Sequence, residues 1–148
     1  MIEIRFAQES DSALWMSIDE HLPEGEFSNK ARSRQAYLLL EDGAPAALMR
    51  YNLFWDSVPF CTLLYVLEGC RGRGFGRMLM ERWAADMKAL GHGMLMTSTQ
   101  TDETAQHFYR KLCYRDAGGL LLDAPGYEQP MELFLIKAID GVALGGVR

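Results

Sequence analysis

The run Arg71-Gly72-Arg73-Gly74-Phe75-Gly76-Arg77 has the composition of an anion-binding turn. Glycines carry no Cβ to hold a phosphate away from the backbone, and they reach left-handed conformations at no steric cost. Before the run, Phe60 to Val66 is almost wholly apolar and β-prone. After it, Phe75, Leu79, Trp83 and Met87 recur at helical spacing. A turn between such a strand and such a helix aims backbone N–H groups outward from the positive helix end. Arginines at its rim add charge-assisted contacts. The chemistry indicated is that of a diphosphate site.

Three phosphate motifs compete for this segment. A P-loop ends in Gly-Lys-Ser/Thr, which the chain lacks. A dinucleotide fold needs Gly-x-Gly-x-x-Gly and a strand ending in an acid about 20 residues on. Gly72-x-Gly74-x-Gly76 has a different spacing. The third pattern, Arg/Gln-x-x-Gly-x-Gly/Ala, is met in full by Arg71 to Gly76. A second stretch, Asp102-Glu103-Thr104-Ala105-Gln106-His107-Phe108-Tyr109-Arg110-Lys111-Leu112-Cys113-Tyr114, is similar to Asn-x-x-Ala-x-x-Phe-Tyr-x-Lys-Leu-Gly-Phe. Through these two segments the chain resembles the GCN5-related N-acetyltransferase (GNAT) superfamily, in an element order that covers nearly the whole chain.

The resemblance implies acetyl-CoA as the acetyl donor. Backbone groups of Leu64, Tyr65 and Val66 would pair with the pantetheine arm as an added strand does. The N–H groups from Gly72 to Arg77 would hold the pyrophosphate, with Arg71 at the start of the loop. The strand at Met94 to Ser98 would splay from that at Phe60 to Val66 into a V-shaped cleft. A backbone N–H near Val66 would face the developing oxyanion. Tyr109 matches the tyrosine that gives a proton to the departing thiolate. On residue type alone, without the motif, Tyr109 reads first as a core aromatic beside Phe108.

The pattern also departs from the family. Asp102 stands where asparagine is usual, and an ionised aspartate only accepts hydrogen bonds. It contacts the pantetheine or caps its helix. Cys113 replaces a glycine and reads as a small buried residue. Glu68 replaces a proline and reads as a solvated loop acid. No acid lies within Phe60 to Val66, so the base for the attacking amine is unassigned, with Asp56 or a held water as alternatives.

Arg50-Tyr51-Asn52-Leu53-Phe54-Trp55-Asp56 is aromatic and ends in an acid. Trp55 and Asp56 would suit an amine with an apolar or cyclic body. Packing of the sheet is the competing reading of these aromatics. The acceptor expected is a small-molecule amine. A protein lysine or N-terminal amine is the first alternative, and non-catalytic binding of acyl-CoA the second.

These residues need a frame to hold them. Ile2, Ile4 and Phe6 alternate as in a strand, and Leu14, Trp15, Ile18 and Leu22 follow at helical spacing. Pro23 and Gly25 are expected to end that helix, before a second over Phe27 to Arg34. Strands are expected over Ala36 to Leu40 and Pro45 to Phe54, joined at Glu41-Asp42-Gly43, with a turn at Asp56 to Pro59. A helix from about Gly74 to Leu90 leads to a strand at Met94 to Ser98. A short helix carries Phe108 and Tyr109, and strands follow near Gly118 to Leu122 and Met131 to Lys137. This order gives an α/β fold: a mixed, mostly antiparallel sheet with about four helices. A single domain is expected over 1–137, with a loose glycine-rich tail over 138–148.

Length and composition agree with that frame. A chain of 148 residues buries roughly 70% of its unfolded surface and needs no metal or disulfide to fold. A net charge of -5 argues against nucleic acid as a partner. Arg71, Arg73, Arg77 and Arg82 read as one local basic patch. Cys61, Cys70 and Cys113 fit no zinc spacing and are expected to be reduced and mostly buried, and no metal is expected. No apolar run would span a bilayer, and the N-terminus lacks an apolar leader, so the expected location is cytoplasmic. Exposed strand edges would allow a homodimer.

Overall fold

A computed structural model describes residues 1–139. Seven strands form one sheet in the order β1-β2-β3-β4-β5-β7-β6. They are β1 (Ile2–Phe6), β2 (Ala36–Glu41), β3 (Ala44–Phe54), β4 (Val58–Val66), β5 (Met94–Gln100), β6 (Arg115–Leu120) and β7 (Glu132–Ala138). Four α-helices join them: α1 (Ser12–Ile18), α2 (Glu24–Arg32), α3 (Phe75–Ala89) and α4 (Ala105–Lys111). β4 and β5 pair in parallel, whereas β1–β2, β2–β3, β5–β7 and β6–β7 are antiparallel. This is the mixed α/β sheet that the sequence predicts. The parallel ladder registers only Phe60 with Met96 and Cys61 with Thr97.

The chain forms two compact units: Met1–Tyr51 with Leu63–Arg82, and Asn52–Thr62 with Trp83–Arg148. The first has a core of Ala7, Trp15, Leu22, Phe27, Ala36, Leu38 and Leu48. Within it the Asp19 side chain is fully buried. It accepts from Arg50 Nε at 2.7 Å and from Trp15 Nε1 at 3.0 Å. Burial alone would raise its pKa, but these bonds and the His21 amide outweigh that and hold the carboxyl below the ordinary aspartate value. The pair therefore ties the end of α1 to β3.

Several boundaries differ from the sequence reading. Pro23 opens α2 instead of closing α1: its carbonyl accepts from the Glu26 and Phe27 amides, and Gly25 lies inside the helix. Proline loses nothing at a helix start, where its missing N–H would have no partner. The turn expected at Asp56 to Pro59 is made by Trp55 and Asp56, and β4 already begins at Val58. Residues 140–148 lie outside the described residues, and with them most of the expected tail. Ala138 closes β7, and the Ile139 amide donates to the Gly93 carbonyl at 3.0 Å.

In the second unit β5 and β7 sort their side chains by strand alternation. Leu95, Thr97, Thr99, Leu133 and Leu135 are buried, whereas Ser98, Glu132 and Phe134 are partly exposed. Over α3 the predicted stripe holds: Phe75, Leu79, Trp83 and Met87 are all buried. Of the three cysteines only Cys61 is buried; Cys113 is exposed, with φ of 72°. Cys113 follows α4 in the left-handed position of a Schellman cap. Its amide donates to the Arg110 carbonyl at 3.0 Å, and the Tyr114 amide to the Tyr109 carbonyl at 3.1 Å. The position asks for a backbone conformation, not for a small buried side chain. Cys113→Gly should therefore raise stability by roughly 1 kcal/mol, since a left-handed non-glycine costs about that much. Urea unfolding checks this, and an unchanged midpoint would mean that the cap carries no strain.

Candidate active site

In the first unit β4 ends at Val66, a short 3-10 turn covers Glu68–Cys70, and α3 starts at Phe75. Gly72 and Gly74 have φ of 77° and 84°. Those values are left-handed, so the glycines are needed for the turn itself. A Cβ at either position would meet nothing within 4 Å, so the space before the loop is open. The first bond into the helix runs from the Met78 amide to the Gly74 carbonyl at 3.0 Å. The amides of Phe75, Gly76 and Arg77 come before that first donor, as helix starts require. Backbone donors, open space and a helix terminus fit a diphosphate.

The arginines have mostly structural partners. Arg71 Nε donates to the Val66 carbonyl at 2.9 Å, with the guanidinium 5.5 Å from the Tyr65 ring centre. Arg73 makes a two-pronged pair with Glu41 and lies 4.8 Å from the Phe75 ring centre. Hydrogen bonding to that partner depresses the Glu41 carboxyl and raises the Arg73 guanidinium. Arg77 Nε pairs with Glu81 at 2.9 Å, one turn along α3. Arg82 belongs elsewhere: it donates to the Ile4 carbonyl at 3.0 Å and lies over Phe6 and Tyr37. Four arginines clustered in sequence are thus not one basic patch. α3 carries Arg82 away from the turn, and two of the other three have a carboxylate of their own. Leu64 and Val66 are half-buried and Tyr65 is exposed, while Glu68 is a solvated loop acid.

The second unit holds Tyr109, Asp102, Trp55 and Asp56. Tyr109 is 6% exposed. Burial, joined by the nearby Cys61 and Glu103, pushes its hydroxyl well above the ordinary tyrosine range; a hydrogen bond with the Thr97 side chain opposes this. Thr97 Oγ1 in turn donates to the Cys61 carbonyl at 3.3 Å. The hydroxyl is therefore a buried, protonated group beside Thr97. Tyr114 packs against Tyr109 at 5.8 Å between ring centres, completing the contact across the cap. Thr97 was not legible in the sequence, since nothing in a buried Met-Thr-Ser run marks which hydroxyl will meet a tyrosine.

Asp102 is exposed, and it does not cap α4, whose N-cap residue is Thr104. Glu103 ties the turn instead, accepting from the Gln100 amide at 2.9 Å and from Thr99 Oγ1 at 3.1 Å. Trp55 and Asp56 have φ of 55° and 62°, and the Ser57 amide closes their turn on the Phe54 carbonyl at 3.2 Å. Two left-handed residues make a tight hairpin turn, usually Asn-Gly or Asp-Gly. Asp42-Gly43 at the β2–β3 turn obeys that preference, with φ of 50° and 83°. Trp55 does not, and it is 62% exposed against Phe54, with 4.7 Å between ring centres. Among the described residues no group of three or more His, Cys, Asp or Glu is placed to hold a metal. None of the described helices is long and apolar enough to cross a membrane.

Comparison with known proteins agrees with this geometry. The fold is similar to the ribosomal-protein-S18-alanine N-acetyltransferase from Escherichia coli: TM-score 0.78, 18% identity, covering 100% of this chain and 99% of that one. It is similar to a putative acetyltransferase from Salmonella typhimurium, solved with its cofactor acetyl-CoA: TM-score 0.78, 17% identity, covering 97% and 96%. It is also similar to the polyamine N-acetyltransferase of Drosophila melanogaster: TM-score 0.73, 16% identity, covering 93% and 100%. A search of curated proteins finds no match. The model of the acetyltransferase (GNAT) family matches residues 3–113. With three quarters of its length matched and the loop formed as described, the chain belongs to the acetyltransferase (GNAT) family.

Proposed function

We propose that the protein is an N-acetyltransferase that moves an acetyl group from acetyl-CoA to a primary amine of a small molecule. The observation that carries the donor is the loop from Arg71 to Arg77, open at Gly72 and Gly74 before the first amides of α3. Those amides, from Gly72 to Arg77, hold the diphosphate. Leu64, Tyr65 and Val66 offer the strand end along which the pantetheine arm lies. When bound, acetyl-CoA supplies an activated thioester.

Tyr109 Oη holds the proton that a departing thiolate needs. The raised hydroxyl pKa keeps that proton in place at neutral pH. Thr97 lies beside the hydroxyl and donates its own proton to the Cys61 carbonyl, which leaves its oxygen free to accept from the tyrosine. Asp102, exposed beside α4, remains available to accept from a pantetheine amide. The acceptor class rests on Trp55 and Asp56: an exposed indole beside a carboxylate suits an amine with an apolar body. Structural neighbours include both a protein-directed and a polyamine-directed enzyme, so the fold alone does not choose between acceptors.

Gly74→Glu puts an anionic side chain in the open space of a left-handed position. It should abolish binding of coenzyme A, measured by calorimetry, while far-ultraviolet dichroism stays unchanged. Full affinity in that variant would remove the loop from the donor site.

Tyr109→Phe should lower turnover by about 10²- to 10⁴-fold, the usual worth of a general acid, with coenzyme A affinity retained. Thr97→Val should lower it less and move the alkaline limb of the rate profile. Release of free thiol reads both variants, and wild-type rates from Tyr109→Phe would exclude the tyrosine as proton donor.

A further inference from the structure

Most partly or fully buried carboxylates of this chain face a cation. Asp11 has Arg5, Asp19 has Arg50 and Glu41 has Arg73. Glu132 differs. It is half-buried at the start of β7, and among the described residues no lysine or arginine pairs with it. Two neutral donors hold it instead. Ser98 Oγ donates to Oε2 at 2.6 Å, and Gln129 Nε2 donates to Oε1 at 2.8 Å. A carboxylate offers about four acceptor positions, so room remains on both oxygens. Two donors orient the group without neutralising it, which leaves a directed negative charge.

The surroundings are aromatic. Glu132 and Phe134 lie two apart on β7 and share one face, and Ser98 is the register partner of Phe134. Phe134 is 5.8 Å from Phe60 and 6.5 Å from Phe54, ring centre to ring centre. Phe54 packs against Trp55, which holds a left-handed position in the turn. Ser98 also follows Thr97 directly. Along β5, Thr97 turns to Tyr109 on the buried face and Ser98 to Glu132 on the open one.

We infer that Glu132 anchors the ammonium of the acceptor, and that Phe54, Phe60, Phe134 and Trp55 form the wall against its apolar body. The acceptor is then a primary arylalkylamine. Same-face neighbours on a strand stand about 6.6 Å apart, which matches an ammonium and a ring separated by two or three methylenes. The inference rests on the acetyl-transfer reading and adds the acceptor subsite to it.

The test titrates phenethylamine and its neutral analogue 2-phenylethanol into the full chain loaded with coenzyme A. Binding of coenzyme A is measured first on the same sample. The wild-type protein should bind the amine at least tenfold more tightly than the alcohol. Glu132→Gln, which keeps both neutral contacts sterically, should erase that preference. Trp55→Ala should weaken both ligands. An amine preference that persists in folded Glu132→Gln overturns the subsite. So does equal binding of amine and alcohol by the wild-type protein, a comparison that needs no variant to fold. With coenzyme A binding intact, either failure removes the subsite and leaves acetyl transfer standing.

Discussion

A helix must leave its first amides without backbone acceptors, and the donor site proposed between β4 and α3 follows from that one constraint. The turn between them needs two left-handed residues, at Gly72 and Gly74. A Cβ at either glycine would meet nothing within 4 Å, so the first amides of α3 follow an open turn. Negative charge is the natural complement. The loop's arginines then brace the turn. Arg71 closes back on the Val66 carbonyl, and Arg73 ties the loop to the end of β2 through Glu41. Their contribution is rigidity, which lowers the ordering cost of binding.

The second unit solves a different problem, that of keeping one hydroxyl protonated and pointed. Burial supplies the first property, because a phenolate in a dry site is unfavourable. Direction needs more. Tyr109 sits at the end of α4, where helices fray, yet the Schellman cap crosses it twice. Its own carbonyl accepts from Tyr114, and its ring packs on that residue. Thr97 completes the frame from β5. Cys113 makes the cap despite its side chain, so the surrounding contacts must outweigh the left-handed strain.

Local pattern carried much of this into the sequence. The stripe of Phe75, Leu79, Trp83 and Met87 is buried as its spacing predicts, and the apolar run ending at Val66 is a central strand. The glycine run forms the predicted turn. What escaped was non-local. Asp19 meets Arg50 across 31 positions, and Ser98 meets Glu132 across 34. Neither pair has a spacing that a helix or hairpin would impose. Arg82 misled for the opposite reason: nearness in sequence to Arg77 implied nearness in space, but a helix turns its residues apart. Pro23 and Cys113 were read by residue type where backbone conformation decided.

The two faces of β5 explain why one strand can serve two charges. A thiolate leaving group must gain a proton, and an ammonium acceptor must be held and then lose one. If both tasks fell to groups in contact, the carboxylate would accept a hydrogen bond from the tyrosine and hold back the proton that the thiolate needs. Strand alternation prevents that contact. Thr97 faces inward to a dry hydroxyl, and Ser98 faces outward to a half-buried carboxylate, one residue along the same backbone. Exchanging the two environments would place the carboxylate in the core, where burial alone would neutralise it, and the tyrosine in water, where nothing would raise its pKa. The division of labour is thus set by which face is wet, and that was decided when Leu95, Leu133 and Leu135 took the inner side.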